Sequence, residues 1–347
     1  MSLQARITSL AQTLGADIKA LEDIVVPGGF PGGPAGAVQF NADGVFGGAT
    51  DAGIHDDSLV LGAPTVPTVP PAGFVKLFGK QVGTQRVLPC ALAEDGSSYP
   101  LQPSFVQKKI FLWSPGGNAT TVPGIFGGPA MTVAGTATVR SVATTNMLTR
   151  MKRLAYVSAA GAGSMCSVRG QAQYTSGNGG AIPLGGFFAS FRFAFTDATV
   201  VTTSRAFVGM NSAAPTNVEM DTRTNHFGIA KSSTNNTQLY LVYGGSAAQT
   251  ATPLGVDFPP MAAAGATNGV PYDLQIWCPP TQNGVFCWRL DRLDTGLSTG
   301  GTVTPATPGV QTPLSTTLLA PSLWRCNNTT AAACGLDVSQ VYIETDY

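Results

Sequence analysis

Charged side chains are scarce in this sequence of 347 residues. Asp, Glu, Lys and Arg make up 11% of it, against about 25% in an average soluble protein. The 19 basic and 19 acidic residues cancel, whereas nucleic acids and anionic membranes attract proteins through an excess of basic side chains. Neither is therefore expected as a partner. The chain is not expected to be disordered, because 44% of its residues are hydrophobic and supply material for a core.

Long hydrophobic runs are also lacking. No stretch of about eighteen apolar residues is present, so no insertion into a membrane is expected. The first residues lack the basic and then apolar layout of a secretory signal and its small-residue cleavage site, so export by that route is not expected.

Side chains suited to catalysis are few. The two histidines, His55 and His226, leave little material for a serine triad. The carboxylates of the C-terminal part form no motif of paired acid and base, and no β-helix repeat is present to carry a long glycan groove. No Cys-x-x-Cys pair occurs, which argues against a zinc site. The sequence predicts no enzymatic activity, no metal and no cofactor.

The six cysteines leave the redox state open. Cys278 and Cys287 flank a turn sequence that begins Pro279-Pro280 and are candidates for a disulfide across a hairpin. Cys326 and Cys334 flank a similar turn and are the weaker candidates. The alternative is that all six are small buried hydrophobic residues.

An amphipathic helix is predicted over residues 1–26. One apolar stripe runs along it at spacings of three and four, and the pattern repeats after eleven residues, which favours a nearly straight helical bundle. A helix this short is marginal alone in water, so it is expected either to dock on the body of its own chain or to associate with identical helices. Pro27 cuts it off from the body, which favours self-association. The stripe consists of Leu3, Ile7, Leu10, Leu14, Ile18, Leu21 and Val25.

Glycine and proline dominate the next stretch, residues 27–73, which is predicted to be a connector. Within it, Phe40 and Phe46 flank an Asp-Gly pair, which indicates a hairpin. The proline-rich residues 64–71 indicate an extended spacer. Residues 74–150 then contain several short strand patterns separated by glycine and proline, and they predict a small middle β-rich domain.

Alternation of apolar and polar residues dominates the C-terminal part, residues 151–347. Phe187, Phe191, Phe193 and Phe195 are separated by even steps and should share one face of a strand. Several such runs follow at short spacing, separated by turn formers, and no helical pattern lies among them. This arrangement predicts an antiparallel β-sandwich, and the whole chain is predicted to be mainly β.

Several segments resemble proteins of tailed bacteriophages. Residues 2–21 resemble the N-terminal anchoring helix of tail-fibre proteins, and residues 36–41 are similar to the connector of phage and prophage fibres. Residues 118–123 and 143–146 match the middle region of that family. The C-terminal resemblance is to a concanavalin-like jelly roll found at fibre tips, and it is carried by residues 207–210, 214–218, 318–328 and 342–346.

This resemblance implies a homotrimeric structural protein of the virion, made in the bacterial host cytoplasm. In a tail fibre or receptor-binding protein of this kind, the N-terminal helix joins other virion or tail proteins. The C-terminal sandwich, here predicted as a jelly roll, contacts a host cell-surface glycan or protein. Many weak contacts then add up to stable host attachment.

Carbohydrates are bound by aromatic faces and by amide or guanidinium groups that hydrogen-bond to hydroxyls. Residues of these types occur in predicted loops of the C-terminal domain and are the candidates for receptor binding. They are Asn211, Asn217, Asp221, Arg223, Asn225, His226, Trp324, Arg325, Asn327 and Asn328. A core position is the alternative for Trp324, and ordinary turn chemistry is the alternative for the asparagines.

Two other functions stay open. The chain could be a capsid decoration or fibre-scaffold protein that binds no receptor, in which case the candidate residues should be buried at subunit contacts. A glycan depolymerase would require a cleft with two close carboxylates.

Overall fold

The computed structural model describes residues 4, 8–9, 12–14, 37–42, 45–55, 58–62, 67–83, 86–92, 98–101, 109–116, 119–122, 131–180, 184–197, 199–262 and 269–345. The chain is mainly β with antiparallel sheets. It divides into two compact units, one of Met1–Gln81 with Val87–Gln102 and one of Val82–Arg86 with Pro103–Tyr347. The strands are β1 Ala37–Ala42, β2 Val45–His55, β3 Ser58–Leu61, β4 Lys76–Gly83, β5 Arg86–Leu92, β6 Ser98–Pro100, β7 Ile110–Trp113, β8 Thr132–Ala134, β9 Thr136–Arg140, β10 Arg153–Val157, β11 Met165–Arg169, β12 Phe187–Asp197, β13 Arg205–Asn211, β14 His226–Lys231, β15 Tyr240–Gly244, β16 Thr252–Pro253, β17 Tyr272–Cys278, β18 Phe286–Arg292, β19 Ser298–Val303, β20 Ala320–Cys326 and β21 Cys334–Thr345.

The predicted N-terminal helix lies mostly outside the described residues. Six of its residues are described, and all six are helical. Two threonine hydroxyls donate back to carbonyls four residues earlier, Thr8 to Gln4 at 3.0 Å and Thr13 to Ser9 at 2.9 Å, as hydroxyls commonly do within a helix. A single helix over residues 1–26, and its apolar stripe, stay predictions.

Two small sheets make up the described part of the first unit. Strands β1, β2 and β3 form one, and β4, β5 and β6 form the other. Ala42 pairs with Val45, so the hairpin predicted around Asp43-Gly44 is confirmed. The second sheet buries a small core of Phe78, Cys90 and Leu92.

Two large sheets form the second unit. The eight-stranded sheet has the order β19-β18-β17-β12-β21-β10-β9, with β7 paired to β21, and the seven-stranded sheet has the order β16-β15-β14-β13-β20-β11-β8. Every strand pair in them is antiparallel. One core cluster takes residues from both sheets, so the predicted antiparallel sandwich is confirmed.

The boundary predicted at residue 150 is wrong. Strands β7 and β9 pair with β21 and β10 in the eight-stranded sheet, and β8 pairs with β11 in the seven-stranded sheet. The sequence pattern predicts that these strands belong to a separate middle domain over residues 74–150. They are short, and the sequence does not reveal that their pairing partners lie tens to hundreds of residues away. The segment 144–154, which predicts either a helix or a strand, contains both: a one-turn helix, α1 (Met147–Arg150), and the start of β10.

Aromatic rings fill the sandwich core. Phe187, Phe191, Phe193 and Phe195 all point into it and are at most 1% exposed, which confirms the shared face predicted from their spacing. Phe227 of the seven-stranded sheet stacks on Phe286 of the eight-stranded sheet, with ring centroids 4.5 Å apart and planes 11° from parallel. Burial of such rings, worth about 1.5–3 kcal/mol each, holds the two sheets together.

The candidate disulfide between Cys278 and Cys287 is absent: all six cysteines are buried, and none of them forms a disulfide. Cys287 pairs with Trp277 across the β17–β18 hairpin, so Cys278 is one residue out of register with it. Neighbouring positions on a strand point to opposite faces. Cys278 accordingly lies in the sandwich core, whereas the thiol of Cys287 accepts a hydrogen bond from Thr302 at 3.6 Å.

Candidate functional site

The outer face of the seven-stranded sheet is covered by residues 212–225, which connect β13 to β14; we call them the covering segment. Ala206, Val208 and Met210 of β13 point into the sandwich core, so Phe207 points outward. Met220 of the segment packs there in a second cluster, together with Phe207, Ala230, Val242, Trp324 and Cys326. The face opposite the core is therefore itself buried.

An ion pair fixes the far end of the covering segment. Arg205, the first residue of β13, places its Nε 2.8 Å from Glu219 Oε1 and donates from Nη1 to Asn217 Oδ1 at 2.7 Å. Ser233 donates to the same Glu219 oxygen through its backbone N–H at 3.0 Å and through its hydroxyl. Burial alone would raise the pKa of Glu219, but these hydrogen bonds and the charge of Arg205 outweigh it and lower the pKa.

Backbone hydrogen bonds fix the near end of the segment. The N–H of Ser212 donates to the carbonyl of Asn225 at 3.0 Å, and the N–H of Asn225 donates to Gly245 at 2.8 Å. Asn225 adopts a left-handed conformation with φ of 51°, which asparagine tolerates better than most residues. Arg169 Nη2 of β11 donates to the Ser212 carbonyl at 2.9 Å. The segment therefore runs along the sheet and back as an ordered loop.

Seven of the ten receptor-binding candidates belong to this face or to its cover. Asn217, Asp221, Arg223 and Asn225 lie in the covering segment, where Asp221 is exposed and the other three are half-buried. Arg223 donates a hydrogen bond to Thr216 within the segment. These four residues meet the expectation of solvated loop positions. Asn211, His226 and Trp324 point from the sheet toward the segment and are fully buried.

The prediction that all ten candidates lie in accessible loops is wrong. Asn211, His226, Trp324, Arg325 and Asn327 are buried, each at 0% exposure. The core alternative weighed for Trp324 is thus confirmed. Burial depends on what covers a strand, and the local sequence around these residues does not contain that information.

Buried polar atoms without a hydrogen-bond partner are concentrated beneath the covering segment. Six of the twelve such atoms found among the described residues lie on this one sheet face. Leaving a buried donor or acceptor unsatisfied is costly, so each cluster of them requires an explanation. The six atoms are Nε of Arg169, Nδ2 of Asn211, Nδ1 and Nε2 of His226, Oγ of Ser322 and Nε1 of Trp324.

His226 is uncharged at neutral pH in this environment. Burial lowers its pKa to about 4, an effect that the neighbouring Thr224 carbonyl opposes and the charge of Arg223 reinforces. Its ring meets the edge of Phe207 with centroids 5.9 Å apart. A neutral imidazole offers one donor and one acceptor. Neither nitrogen meets hydrogen-bond geometry with a described residue, although the Thr224 carbonyl lies close enough to favour the protonated ring.

Arg325 and Asn327 make buried contacts that hold the fold together. Arg325 points into the sandwich, where its guanidinium lies 2.6 Å from Asp197 Oδ1 and donates to Asp197 Oδ2 at 2.9 Å and to Ser204 Oγ at 3.1 Å. Asn327 Nδ2 lies within hydrogen-bonding distance of three carbonyls, those of Ala159, Gly161 and Ala332, at 2.8–3.2 Å. These contacts tie together the loops at one end of the sandwich. Asn328 lies in the same turn, with φ of 53°.

A Gly-x-Ser-x-Gly sequence occurs at residues 296–300. In hydrolases this sequence forms a sharp turn from a strand into a helix. Here Gly296 lies in the turn of the β18–β19 hairpin, and Ser298 begins strand β19. The sequence is therefore part of a hairpin, and its geometry differs from that of a nucleophile elbow.

Metal ligands and membrane-spanning helices are not found in the part of the chain that the structure describes. No three His, Cys, Asp or Glu side chains lie close enough there to hold a metal ion. None of the helices in that part has the length and apolar character needed to cross a bilayer.

Comparisons with known proteins give no family. No protein-family model matches the chain, and no curated protein matches it. Solved structures with a similar arrangement include a protein of unknown function from Shewanella oneidensis MR-1, which is 9% identical, with 71% of this chain and 90% of that chain covered and a TM-score of 0.42. Arcelin-5, a lectin-like defence protein from Phaseolus vulgaris, is 10% identical, with coverage of 70% and 100% and a TM-score of 0.39. Lectin I from Ulex europaeus, solved with a fucoside, is 11% identical, with coverage of 69% and 98% and a TM-score of 0.41. No functional conclusion follows from likenesses this distant.

Proposed function

We propose that this chain is a homotrimeric fibre or receptor-binding protein of a phage virion, without enzymatic activity, and that its sandwich contacts a glycan on the host surface. The observation that supports this most is the covering segment. It carries Asp221, which is exposed, and Asn217, Arg223 and Asn225, which are half-buried. The Arg205–Glu219 ion pair and the backbone hydrogen bonds hold the segment in one conformation. A fixed display of amide, carboxylate and guanidinium groups is suited to recognising hydroxyl-rich ligands, because little entropy is lost on binding.

Self-association has support of its own from the first unit. Among the described residues, its second sheet buries Phe78, Cys90 and Leu92, a small core for an independent unit. Large apolar side chains stay exposed around it in a single chain: Val60, Val69, Phe74, Val75, Leu77, Val87 and Leu101. Where such exposed side chains form a contiguous patch, the patch usually marks an interface. Sedimentation of the full-length chain should give the mass of three copies.

Binding of the labelled full-length chain to a panel of intact bacterial strains tests the receptor-binding proposal. Extracted surface polysaccharides serve as competitors, and release of reducing ends is followed in parallel. Saturable binding to a strain, competed by its own polysaccharide and without new reducing ends, would support the proposal. A folded trimer that binds no strain would favour the decoration or scaffold alternative, and new reducing ends would favour a depolymerase.

Two arginine variants localise the contact. Arg223→Ala removes a guanidinium from the covering segment, and we expect it to weaken binding to cells. Arg289→Ala is the matched control, because Arg289 is a half-buried arginine on the other sheet, paired with Asp291 at 2.7 Å. Equal loss of binding in both variants, or in neither, would show that the covering segment does not form the contact.

A further inference from the structure

The five residues with unpaired polar atoms form one continuous patch beneath the covering segment. Asn211 pairs directly with His226 across β13 and β14, and Arg169 pairs with Ser322 across β11 and β20. Trp324 is two positions from Ser322 on the same strand and therefore on the same face. With strands about 4.8 Å apart, the four strands β11, β20, β13 and β14 span roughly 14 Å. One or two sugar rings fit within that area.

An aromatic floor lies at the centre of this patch. Gly209 and Gly228 pair opposite each other, and neither carries a side chain to lift the neighbouring ring off the sheet. A Cβ on Gly228 would lie 2.8 Å from Phe207 Cε2, and one on Gly209 would lie 3.0 Å from Phe207 Cζ. The Phe207 ring therefore lies across the two glycines, with Trp324 as its pairing partner on β20. Polar atoms around an aromatic floor are a usual arrangement for binding a sugar.

The unpaired groups are mostly donors. Arg169, Asn211 and Trp324 can only donate through the atoms concerned, His226 offers one donor and one acceptor, and Ser322 can do either. No aspartate or glutamate occupies an outward position on the described strands of this sheet. Arg169 also has no ion-pair partner among the residues that the structure describes. A ligand suited to this patch would supply hydrogen-bond acceptors, and a negative charge on it would pair with Arg169.

We propose that the patch formed by Arg169, Asn211, His226, Ser322 and Trp324 binds a saccharide unit that carries a carboxylate, such as a uronic acid. This inference rests on the proposed function and adds to it the ligand class and a second, deeper contact: the closed covering segment meets the surface glycan, and the patch takes one saccharide unit when the segment lifts. The carboxylate pairs with Arg169, and hydroxyls and the ring oxygen accept from Asn211 and Trp324. The apolar face of the sugar ring packs on the aromatic ring of Phe207.

Entry of the ligand requires the covering segment to lift. Its far end is held by the packing of Met220 and by the Arg205–Glu219 contact, whose two side chains are 20% and 24% exposed, so water can reach and weaken the ion pair. Its near end stays attached through Ser212 and Asn225 and can serve as the hinge. Glu219→Gln should therefore speed up both association and release of the saccharide.

Calorimetry and saturation-transfer NMR on the full-length chain provide the test. The probes are D-glucuronate and D-galacturonate, with D-glucose and D-galactose as neutral counterparts and acetate as a carboxylate without a sugar. We expect at least one uronate to bind, and the neutral sugars and acetate to bind about tenfold more weakly or not at all. The neutral sugars lose the charge-assisted hydrogen bond to the carboxylate, and acetate loses the contacts of the sugar ring. Equal binding of uronate and neutral sugar, or no binding of either uronate, would overturn the proposal.

Variants separate a ligand site from a site filled by ordered water. Arg169→Met should weaken uronate binding about tenfold or more, whereas Arg289→Met on the other sheet should leave it unchanged. Ser322→Ala should weaken binding while leaving Tm unchanged or higher, because it removes an unsatisfied hydroxyl. A lower Tm for Ser322→Ala, without an effect on uronate binding, would mean a structural water site only and would refute the proposal.

This inference and the proposed function can fail separately. Uronate binding without binding to any cell would leave the saccharide site standing and count against receptor binding. Cell binding that Arg169→Met does not change would leave the receptor-binding function standing and overturn the site.

Discussion

The ion pair between Asp197 and Arg325 should be far more important to stability than the surface ion pairs of the same unit. The two side chains are 1% and 0% exposed. Arg325 also donates to the carbonyls of Thr196 and Gly335, both at 3.1 Å, and its guanidinium lies 5.5 Å from the centre of the Phe195 ring. Asp197→Asn keeps the shape of the side chain but leaves the arginine charge buried without a counter-ion.

We expect Asp197→Asn to lower the free energy of unfolding by about 3–5 kcal/mol, the usual cost of removing one partner of a buried pair. For a unit of this size that corresponds to roughly 6–20 °C in Tm. The pair itself need not be strongly favourable. Burial raises the pKa of Asp197 despite the opposing effect of Arg325, so the cost of removing the carboxylate from water exceeds the attraction. Asp197→Leu combined with Arg325→Met should therefore destabilise less than Asp197→Asn alone.

Urea unfolding followed by tryptophan fluorescence measures this effect in the sandwich alone, because all four tryptophans lie in the second unit. The control is Asp291→Asn, which breaks the pair with Arg289, whose side chains are 37% and 23% exposed; its expected effect is below about 1 kcal/mol. An effect of Asp197→Asn no larger than that of the control would refute the reasoning. So would a double variant less stable than the single one.

Three further predictions concern pH, thiols and assembly. The pKa of His226 is lowered from 6.5 to about 4, so the unfolded chain binds the proton more readily, and the free energy of unfolding should fall as the pH drops from 6.5 toward 4. His226→Phe should flatten this part of the plot of urea-unfolding free energy against pH. An unchanged slope would contradict the assignment of the pH dependence to His226. None of the six cysteines forms a disulfide, so thiol titration of the unfolded chain without reductant should find six thiols, and a lower count would reveal a disulfide. Leu10→Asp with Leu14→Asp should abolish the proposed trimer in sedimentation while tryptophan fluorescence stays native, because charges on the predicted helix stripe oppose its packing. A trimer that forms normally would show that the helix does not hold it together.

Much of the sandwich could be predicted from the sequence because alternation is a local signal. The even spacing of Phe187, Phe191, Phe193 and Phe195 predicts one buried face, and all four rings lie in the core. The Asp43-Gly44 pair likewise predicts a hairpin, and Ala42 pairs with Val45. Each conclusion needs only a few neighbouring residues, since strand faces and tight turns depend on local geometry.

The candidate site could be predicted only in part. The residue types at Asn217, Asp221 and Arg223 suggested loop positions, and these residues are at least partly exposed. Trp324 and His226 carry the same kind of chemistry but lie under the covering segment. Arg169 and Ser322 were missed altogether, because nothing in their neighbourhood marks them; their significance comes from pairing opposite each other on β11 and β20, more than 150 residues apart.

The sequence by itself determined that the chain is mainly β, has little charge and ends in an antiparallel sandwich, because composition and period-two alternation act residue by residue. Only the tertiary structure decided which polar side chains are buried and whether Cys278 and Cys287 face each other. A shift of one residue in register moves a side chain to the opposite face, and that shift separates Cys278 from Cys287. Burial of Asn211 and His226 likewise depends on a segment folding back over the strand from which it departs. Such long-range packing, rather than any local pattern, brings the polar patch together.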